Sequence, residues 1–180
     1  MNIDAEIEQR STVRYLKDRQ DILDCLVKES RGRDRHDVEV ITNCYWEDGA
    51  DEHSSVVSAP EYAEYANAGH LDYTANSHNL TNHICEIEGD VANCETYVIA
   101  GLLSLDQETC KMALGRYIDR LERRNGEWRI KLRRTVIDMV FESNTLWLHA
   151  LTGFLKGLRS KSDPSYQRPV SVNPEDKRWS

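Results

Sequence analysis

Helical spacing of apolar residues marks the first third of the chain, and strand alternation marks the middle. Ile22, Leu23, Leu26 and Val27, with Leu16 upstream, predict an amphipathic helix over 16–31. Gly32 is its expected stop. A second short helix is expected from Asp34–Asp37, with Val38, Ile41 and Tyr45 on one face and Glu47-Asp48-Gly49 as its end. Residues 50–57 read as a strand. Ser58-Ala59-Pro60-Glu61 has the form of a capping box with proline in the first turn. It opens a third helix, to about Gly69, that buries Tyr62, Tyr65 and Ala66.

From residue 76 the period is two. Strands are predicted at about 77–88, 91–105, 110–124 and 127–141, with turns at Glu88-Gly89-Asp90, at 106–108 and at Asn125-Gly126. The last is a type I′ hairpin signal. A two-residue loop there pairs Arg124 with Glu127, and hence Glu122 with Arg129, Leu121 with Ile130, Asp119 with Leu132 and Tyr117 with Arg134. This register puts Leu121, Trp128, Ile130 and Leu132 on an apolar face. It puts Arg116, Arg120, Glu122, Arg129, Lys131 and Arg133 on a charged outer face. Leu146–Leu158 reads as a short apolar helix or an extra edge. Residues 159–180 hold three of the four prolines and read as a loose surface wrap or a frayed end. Helices followed by an antiparallel meander define an α+β fold. One domain over 1–180 is expected, with a core at about 16–141 and a C-terminal extension at 142–180. Helices ahead of a curved sheet can close a cone whose apolar interior is a natural ligand pocket.

Composition narrows the function classes. Lys and Arg total 23 and Asp and Glu total 31, a formal charge of −8. Such a surface repels phosphate backbones, so nucleic-acid binding is not expected. No apolar run approaches the ~18–20 residues of a membrane span, and the acidic, polar start over 1–9 is not a secretory leader. Cys25, Cys44, Cys85, Cys94 and Cys110 are scattered and contain no CxxC, which suits free thiols in a reducing, cytoplasmic setting. His78 and His83, five apart, match neither one helix face nor one strand face, and no metal site is expected. By parity His83 faces away from the side of His78.

Several short strings recur in an order that carries a resemblance. They are Gly32-Arg33-Asp34-Arg35-His36-Asp37, Trp46-Glu47-Asp48, Ser77-His78-Asn79, Glu95-Thr96-Tyr97, the run Gly115 to Ile130 with Gly126 and Trp128 in its hairpin, and Arg133. Together, over about 18–140, they resemble the SnoaL-like branch of the nuclear transport factor 2-like superfamily. The resemblance implies a cone-shaped α+β barrel enclosing a pocket. Members include hexachlorocyclohexane dehydrochlorinase, scytalone and bile-acid dehydratases, ketosteroid isomerase, polyketide cyclases and formaldehyde-releasing lyases. Many need no cofactor, and relatives form dimers or trimers. In the dehydrochlorinase and dehydratase members an Asp ending the first long helix pairs with a His on the first long strand. Asp34 and His78 match those positions, and Arg133 matches an arginine that contributes in the dehydrochlorinase; from the outer face, either a β-bulge re-aims Arg133 or it is not in the pocket. Relatives carry Lys or Tyr five residues before that Asp; here it is Glu29.

These residues define the candidate chemistry. His78 is a candidate general base, because imidazole titrates near neutrality. Asp34 is either its orienting carboxylate or a plain helix N-cap. Glu29 is either a solvated helix position or an acid or base at the pocket mouth. Tyr45, Trp46, Tyr97 and Tyr117 are core or a wall for an aromatic substrate. His53, His70, His83 and His149 read as surface or loop residues. The expected activity is a cofactor-independent lyase acting on a hydrophobic, aromatic or alicyclic small molecule by proton abstraction and loss of water, halide or formaldehyde. The alternatives are an isomerase or cyclase of the same fold, or a non-catalytic binding module.

Overall fold

The computed structural model describes residues 3–146, 148–150 and 152–179, with side chains from residue 11 onward apart from that of residue 149. Trp147, Leu151 and the His149 side chain, which the sequence reading touched, lie outside the described residues. The elements run α1 (Ile3–Arg35), α2 (Val38–Asn43), β1 (Tyr45–Glu52), β2 (Val56–Ser58), α3 (Ala59–Ala68), β3 (Tyr73–Glu88), β4 (Val91–Ser104), β5 (Thr109–Arg124) and β6 (Glu127–Asn144). The strands form one curved, open sheet in the order β2-β1-β6-β5-β4-β3. Every neighbouring pair is antiparallel except β1 and β6, which run parallel. The helices cover one face. No helix among the described residues is long and apolar enough to cross a membrane.

α1 runs past its expected stop. Gly32 does not end it; a Cβ there would lie 2.9 Å from Ile41 Cγ1, so the glycine lets α2 approach closely. The helix ends three residues later, which places Asp34 in its last turn. Asp37 is the cap of α2 instead, accepting from the Val40 amide at 3.3 Å. The buried stripe of α1 is Asp18, Ile22, Cys25, Leu26, Glu29 and Arg33, at helical spacing, while Leu16 and Val27 are exposed. Hydrophobicity alone marked only its middle, because the stripe continues in charged residues. Tyr45 opens β1 rather than closing α2, and on α3 Tyr62 and Ala66 are buried while Tyr65 remains half-exposed. Pro60 stands in the first turn of α3, and the Ser58 hydroxyl bonds the Glu61 side chain rather than a backbone amide.

Two sequence expectations about the sheet are corrected by β-bulges. The hairpin forms as expected, with positive φ at Asn125 and Gly126, and Glu122 faces Arg129 and Leu121 faces Ile130. The register then slips by one residue at Lys131. Arg120 faces Leu132, Asp119 faces Arg133, and Tyr117 faces Thr135. Beyond the slip the faces exchange, so Leu132 turns outward and Arg133 turns into the core, where it has no exposed surface. A second slip between Leu80 and His83 does the same on β3. His78 opposes Ala100 and His83 opposes Thr96, so both histidines face one side, against the parity expectation. Arg123, next to the turn, reaches Asp18 of α1 at 2.8 Å with its guanidinium over the Trp128 ring.

The C-terminal segment is fastened rather than loose. Asp163 is buried and accepts from Arg35 at 3.0 Å, Lys161 pairs with Asp37 at 2.8 Å, and Arg159 donates to the His70 carbonyl at 2.5 Å. These contacts hold the segment over the α1–α2 junction. Among the described residues between 146 and 158, the chain makes a short 3-10 turn over Leu148–Ala150 and an isolated bridge, Leu155 to Arg178, where a helix or edge is expected.

A third slip, beside Gly115, leaves Asp138 as the extra residue of β6. A Cβ at Gly115 would lie 2.1 Å from the Val136 carbonyl oxygen, which is backbone and cannot move aside. Gly115→Ala is expected to destabilise the protein by about 1–3 kcal/mol, the usual range for overpacking. Urea unfolding monitored by tryptophan fluorescence measures this.

Candidate active site

The end of α1 meets β3 at a His–Asp pair. Asp34 Oδ1 lies 2.7 Å from His78 Nδ1. The same carboxylate accepts the His78 backbone amide at 3.0 and 3.1 Å and Asn76 Nδ2 at 3.2 Å. Asn76 also donates to the Arg33 carbonyl at 3.2 Å, tying the last turn of α1 to the strand. A carboxylate gathering these donors accepts from Nδ1–H, which leaves the lone pair on Nε2. Among the described residues no hydrogen bond reaches Nε2. Burial, and then the charge of Arg33, lower the His78 pKa below the ordinary 6.5; Asp34 opposes that shift without reversing it. The imidazole is therefore neutral and basic at neutral pH.

Behind the pair is a buried ionic network. Glu29 has no exposed surface and sits between Arg33, at 2.9 Å, and Arg133. Arg133 also grips Asp119 through two bonds, Nε to Oδ1 at 2.7 Å and Nη2 to Oδ2 at 3.1 Å. The Tyr117 ring lies under both guanidiniums, 4.2 Å from Arg133 and 5.1 Å from Arg33, and its hydroxyl accepts from Arg33 at 2.5 Å. Burial pushes the Glu29 carboxyl up, but the two arginines outweigh it and hold it below the ordinary glutamate value. Nearby Asp51, also fully buried, accepts from the Tyr45 hydroxyl at 2.9 Å. Its pKa is raised to about 6 by burial, with Arg133 opposing and Glu29 adding to the rise.

A cavity of about 410 Å³ opens beside this network, between α3, the β1–β2 turn and the start of β3. Arg33, His53, Tyr62, Tyr65, His70 and Leu102 are among its walls. The His70 ring is 5.4 Å from that of His78, so the cavity adjoins the His–Asp pair. Burial, then the neighbouring His78 and Arg33, lower His70 to about 3, and it is uncharged at neutral pH.

The structure brings together Asp34, His78, Glu29, Tyr45, Tyr117 and Arg133 on the inner side of the sheet. It does not bring Trp46 or Tyr97 there. Trp46 lies on the outer surface between Arg124 and Arg129, its indole nitrogen donating to the Glu122 carbonyl at 2.9 Å. Tyr97 is 41 % exposed, because its parity on β4 is opposite to that of buried Thr96 and Val98. Glu29 is neither solvated nor at a mouth. The interior is not wholly apolar: Ile22 and Leu26 of α1 pack in an apolar cluster with Leu121, Trp128 and Ile130, and beyond it charged groups lie between the end of α1 and β5–β6. Sequence reasoning missed Arg33, Asp51, His53 and His70. Arg33 had a signal, its i, i+4 spacing from Glu29. The others carried none, since their meeting is set by the turns after β1 and α3.

Residues 14–134 match the SnoaL-like domain family, and the chain belongs to it. No curated protein matches the sequence. Among solved structures the chain is similar to Rv3472, a function unknown protein from Mycobacterium tuberculosis, at 28 % identity over 71 % of this chain and 75 % of that one, with a TM-score of 0.63. It is similar in fold to the hexachlorocyclohexane dehydrochlorinase LinA-type3 from Novosphingobium barchaimii, at 17 % identity over 75 % and 94 % of the two chains, TM-score 0.66. A type 2 LinA dehydrochlorinase gives 19 % identity over 73 % and 93 %, TM-score 0.68.

Two expectations follow. Arg133→Met leaves Glu29 and Asp119 buried with less positive charge, and should cost about 3–5 kcal/mol in equilibrium unfolding. Asp51 holds its proton more tightly folded than unfolded. Its contribution to stability is therefore fully present below its unfolded pKa of ~3.9 and is lost as pH rises through about 6. Asp51→Asn should remove that slope, and denaturant unfolding from pH 4 to 8 measures it against the parent.

Proposed function

We propose that the protein is a cofactor-independent lyase in which His78 removes a proton from a hydrophobic small molecule. The observation that carries this reading is the 2.7 Å contact of His78 Nδ1 with an Asp34 carboxylate held by Asn76 and by backbone. Nε2 takes the proton from a substrate carbon, and the C–H electron pair forms the new double bond. The leaving group departs from the adjacent carbon with its bonding pair. Asp34 steadies the imidazolium that results. Arg33, a cavity wall, supplies fixed positive charge for the departing anion. Arg133 and Glu29 are positioning residues here, since they hold Arg33 and Tyr117 in place. Tyr62 and Leu102 give the cavity walls that suit an aromatic or alicyclic substrate. The family membership and the fold shared with dehydrochlorinases support elimination, with water or halide as the group lost in this way. Loss of formaldehyde begins instead with a hydroxyl proton: Nε2 takes it, the O–H pair forms the C=O of formaldehyde, and the C–C pair forms the new double bond as water leaves the next carbon. Return of the proton to a different carbon would make the same site an isomerase.

One observation favours a binding module instead: the position where relatives carry Lys or Tyr is Glu29, wholly engaged by arginines, so no free acid stands there. Turnover separates the readings. The exposed apolar end of β6, with Ile137, Met139, Val140 and Phe141, supports assembly into a dimer or trimer.

The test is a panel of secondary alcohols, aryl-propanediols, alkyl halides and β,γ-enones, with products followed by mass spectrometry and ultraviolet absorbance. The parent should turn over a member of the panel, and His78→Ala should be folded and inactive. Asp34→Asn should lose about 10²–10⁴-fold in kcat. The kcat/KM profile should rise with pH through a value below 6.5 and then stay level, because the neutral imidazole is the base. Full activity of His78→Ala would remove the proposal, and tight binding without turnover would leave the binding module.

A further inference from the structure

We infer that His83, Cys85 and Cys94 form a binding site for one Zn²⁺ ion on the inner face of β3 and β4. It is a cluster separate from the His78–Asp34 pair and shares no residue with it. Cys85 and Cys94 stand directly opposite each other in the β3–β4 ladder, and each is 4 % exposed. Their side chains therefore leave neighbouring strands toward the same side. His83 lies two residues before Cys85, opposite Thr96, and faces the same side by strand alternation; the slip at Thr81-Asn82 puts both on the inner face. One ligand atom from each of the three residues lies within 4.8 Å of the other two. Tetrahedral zinc, with Zn–S near ~2.3 Å and Zn–N near ~2.0 Å, holds its ligand atoms roughly 3.5–3.8 Å apart. The trio closes on an ion with shifts of about 1 Å.

The hydrogen bonding of His83 points the same way. Its Nδ1 is 2.8 Å from Thr96 Oγ1, and Thr96 is fully buried. Its Nε2 is buried and, among the described residues, has no hydrogen-bond partner. Buried ring nitrogens are rarely left unpaired. A metal-bound histidine shows this division, one nitrogen anchored by an outer group and the other presented to the ion. With Nδ1–H donating to Thr96, the Nε2 lone pair is free to ligate.

The donor set selects the ion. Two thiolates and an imidazole are the ligands of soft and borderline cations, and they discriminate against Mg²⁺ and Ca²⁺. Two thiolates also neutralise Zn²⁺, which a buried site requires. Asp119 faces Cys94 from β5, but both its oxygens are held by Arg133, so it is not a fourth ligand. The fourth position falls to water or to an added small ligand. The spacing of 83, 85 and 94 matches no linear zinc motif; strand pairing makes the cluster, against the expectation of no metal from scattered cysteines and the His78–His83 spacing.

The test uses the reduced, full-length protein with Zn²⁺ alone, in competition with a chromophoric chelator and by native mass spectrometry. One ion should bind per chain. It should protect Cys85 and Cys94 from alkylation while Cys110 continues to react. Thr96→Val, which keeps the shape and removes the anchor, should weaken binding by about 10–100-fold. Cys85→Ser and Cys94→Ser should weaken it further, and Cys110→Ser should leave it unchanged. Circular dichroism checks that each variant folds, and Thr96→Val and His83→Gln keep both thiols, so a misfolded cysteine variant does not end the test. Absence of stoichiometric binding by a chain whose thiols are reduced would overturn the site. So would undiminished affinity in the Cys85→Ser/Cys94→Ser double variant. Binding of Cu⁺ without Zn²⁺ would overturn the assignment of zinc.

Discussion

A carboxylate with no access to water must be met by positive charge, and Glu29 is met twice, by Arg33 from its own helix and by Arg133 from β6. The two arginines carry the network on to Asp119 and Tyr117. Such a network contributes little net stability over an apolar core, but breaking it is costly, so it specifies one arrangement rather than many. The rotation of α1 about its axis is set by it, since Glu29 and Arg33 must face β6. Asp34 follows Arg33 in the chain. Once Arg33 points to the sheet interior, Asp34 is carried round to β3, where Asn76 and the His78 amide receive it.

The bulges give the sheet the second half of this design. A strand that kept strict alternation from the β5–β6 turn would send Arg133 to solvent and leave Glu29 and Asp119 buried without it. One extra residue at Lys131 reverses that. On β3, one extra residue turns His83, and Cys85 after it, to the side that holds His78. Each bulge also bends its strand. The same device that aims side chains therefore curves the sheet around α1.

The inner surface has two polar regions of different chemistry. One, at the end of α1, joins a neutral, oriented imidazole to fixed cations and an adjoining cavity, an arrangement suited to moving protons. The other, further along β3 and β4, holds thiols and an imidazole against α1, with no acid free to take protons. The family accommodates varied activities on one scaffold, and here the distinguishing features lie in side chains on the sheet interior. The C-terminal segment adds a further contact to the first region, because Arg159 binds the backbone of His70, a cavity wall.

Local sequence was enough for the helices, the four long strands, the Asn125-Gly126 turn and the pairing next to it, since periodicity and turn chemistry act over a few residues, but the strand expected at 50–57 is the two strands β1 and β2, with Glu47-Asp48-Gly49 inside β1. Local sequence did not by itself pair Asp34 with His78; the family resemblance carried by the order of short strings did, and the two lie 2.7 Å apart. It was not enough for Arg133, His83 or Leu132, because a one-residue slip reverses a strand's faces and leaves no local mark. Nor was it enough for Glu29 and Arg33, which look solvated until a second arginine from 104 positions away meets them. Trp46 and Tyr97 show the converse: aromatic identity suggested a pocket wall, and strand position put both outside. The chain by itself determined the order of the main helices and the four long strands. Tertiary structure alone decided which faces are buried, because burial of charge depends on partners that only strand register and helix docking bring together.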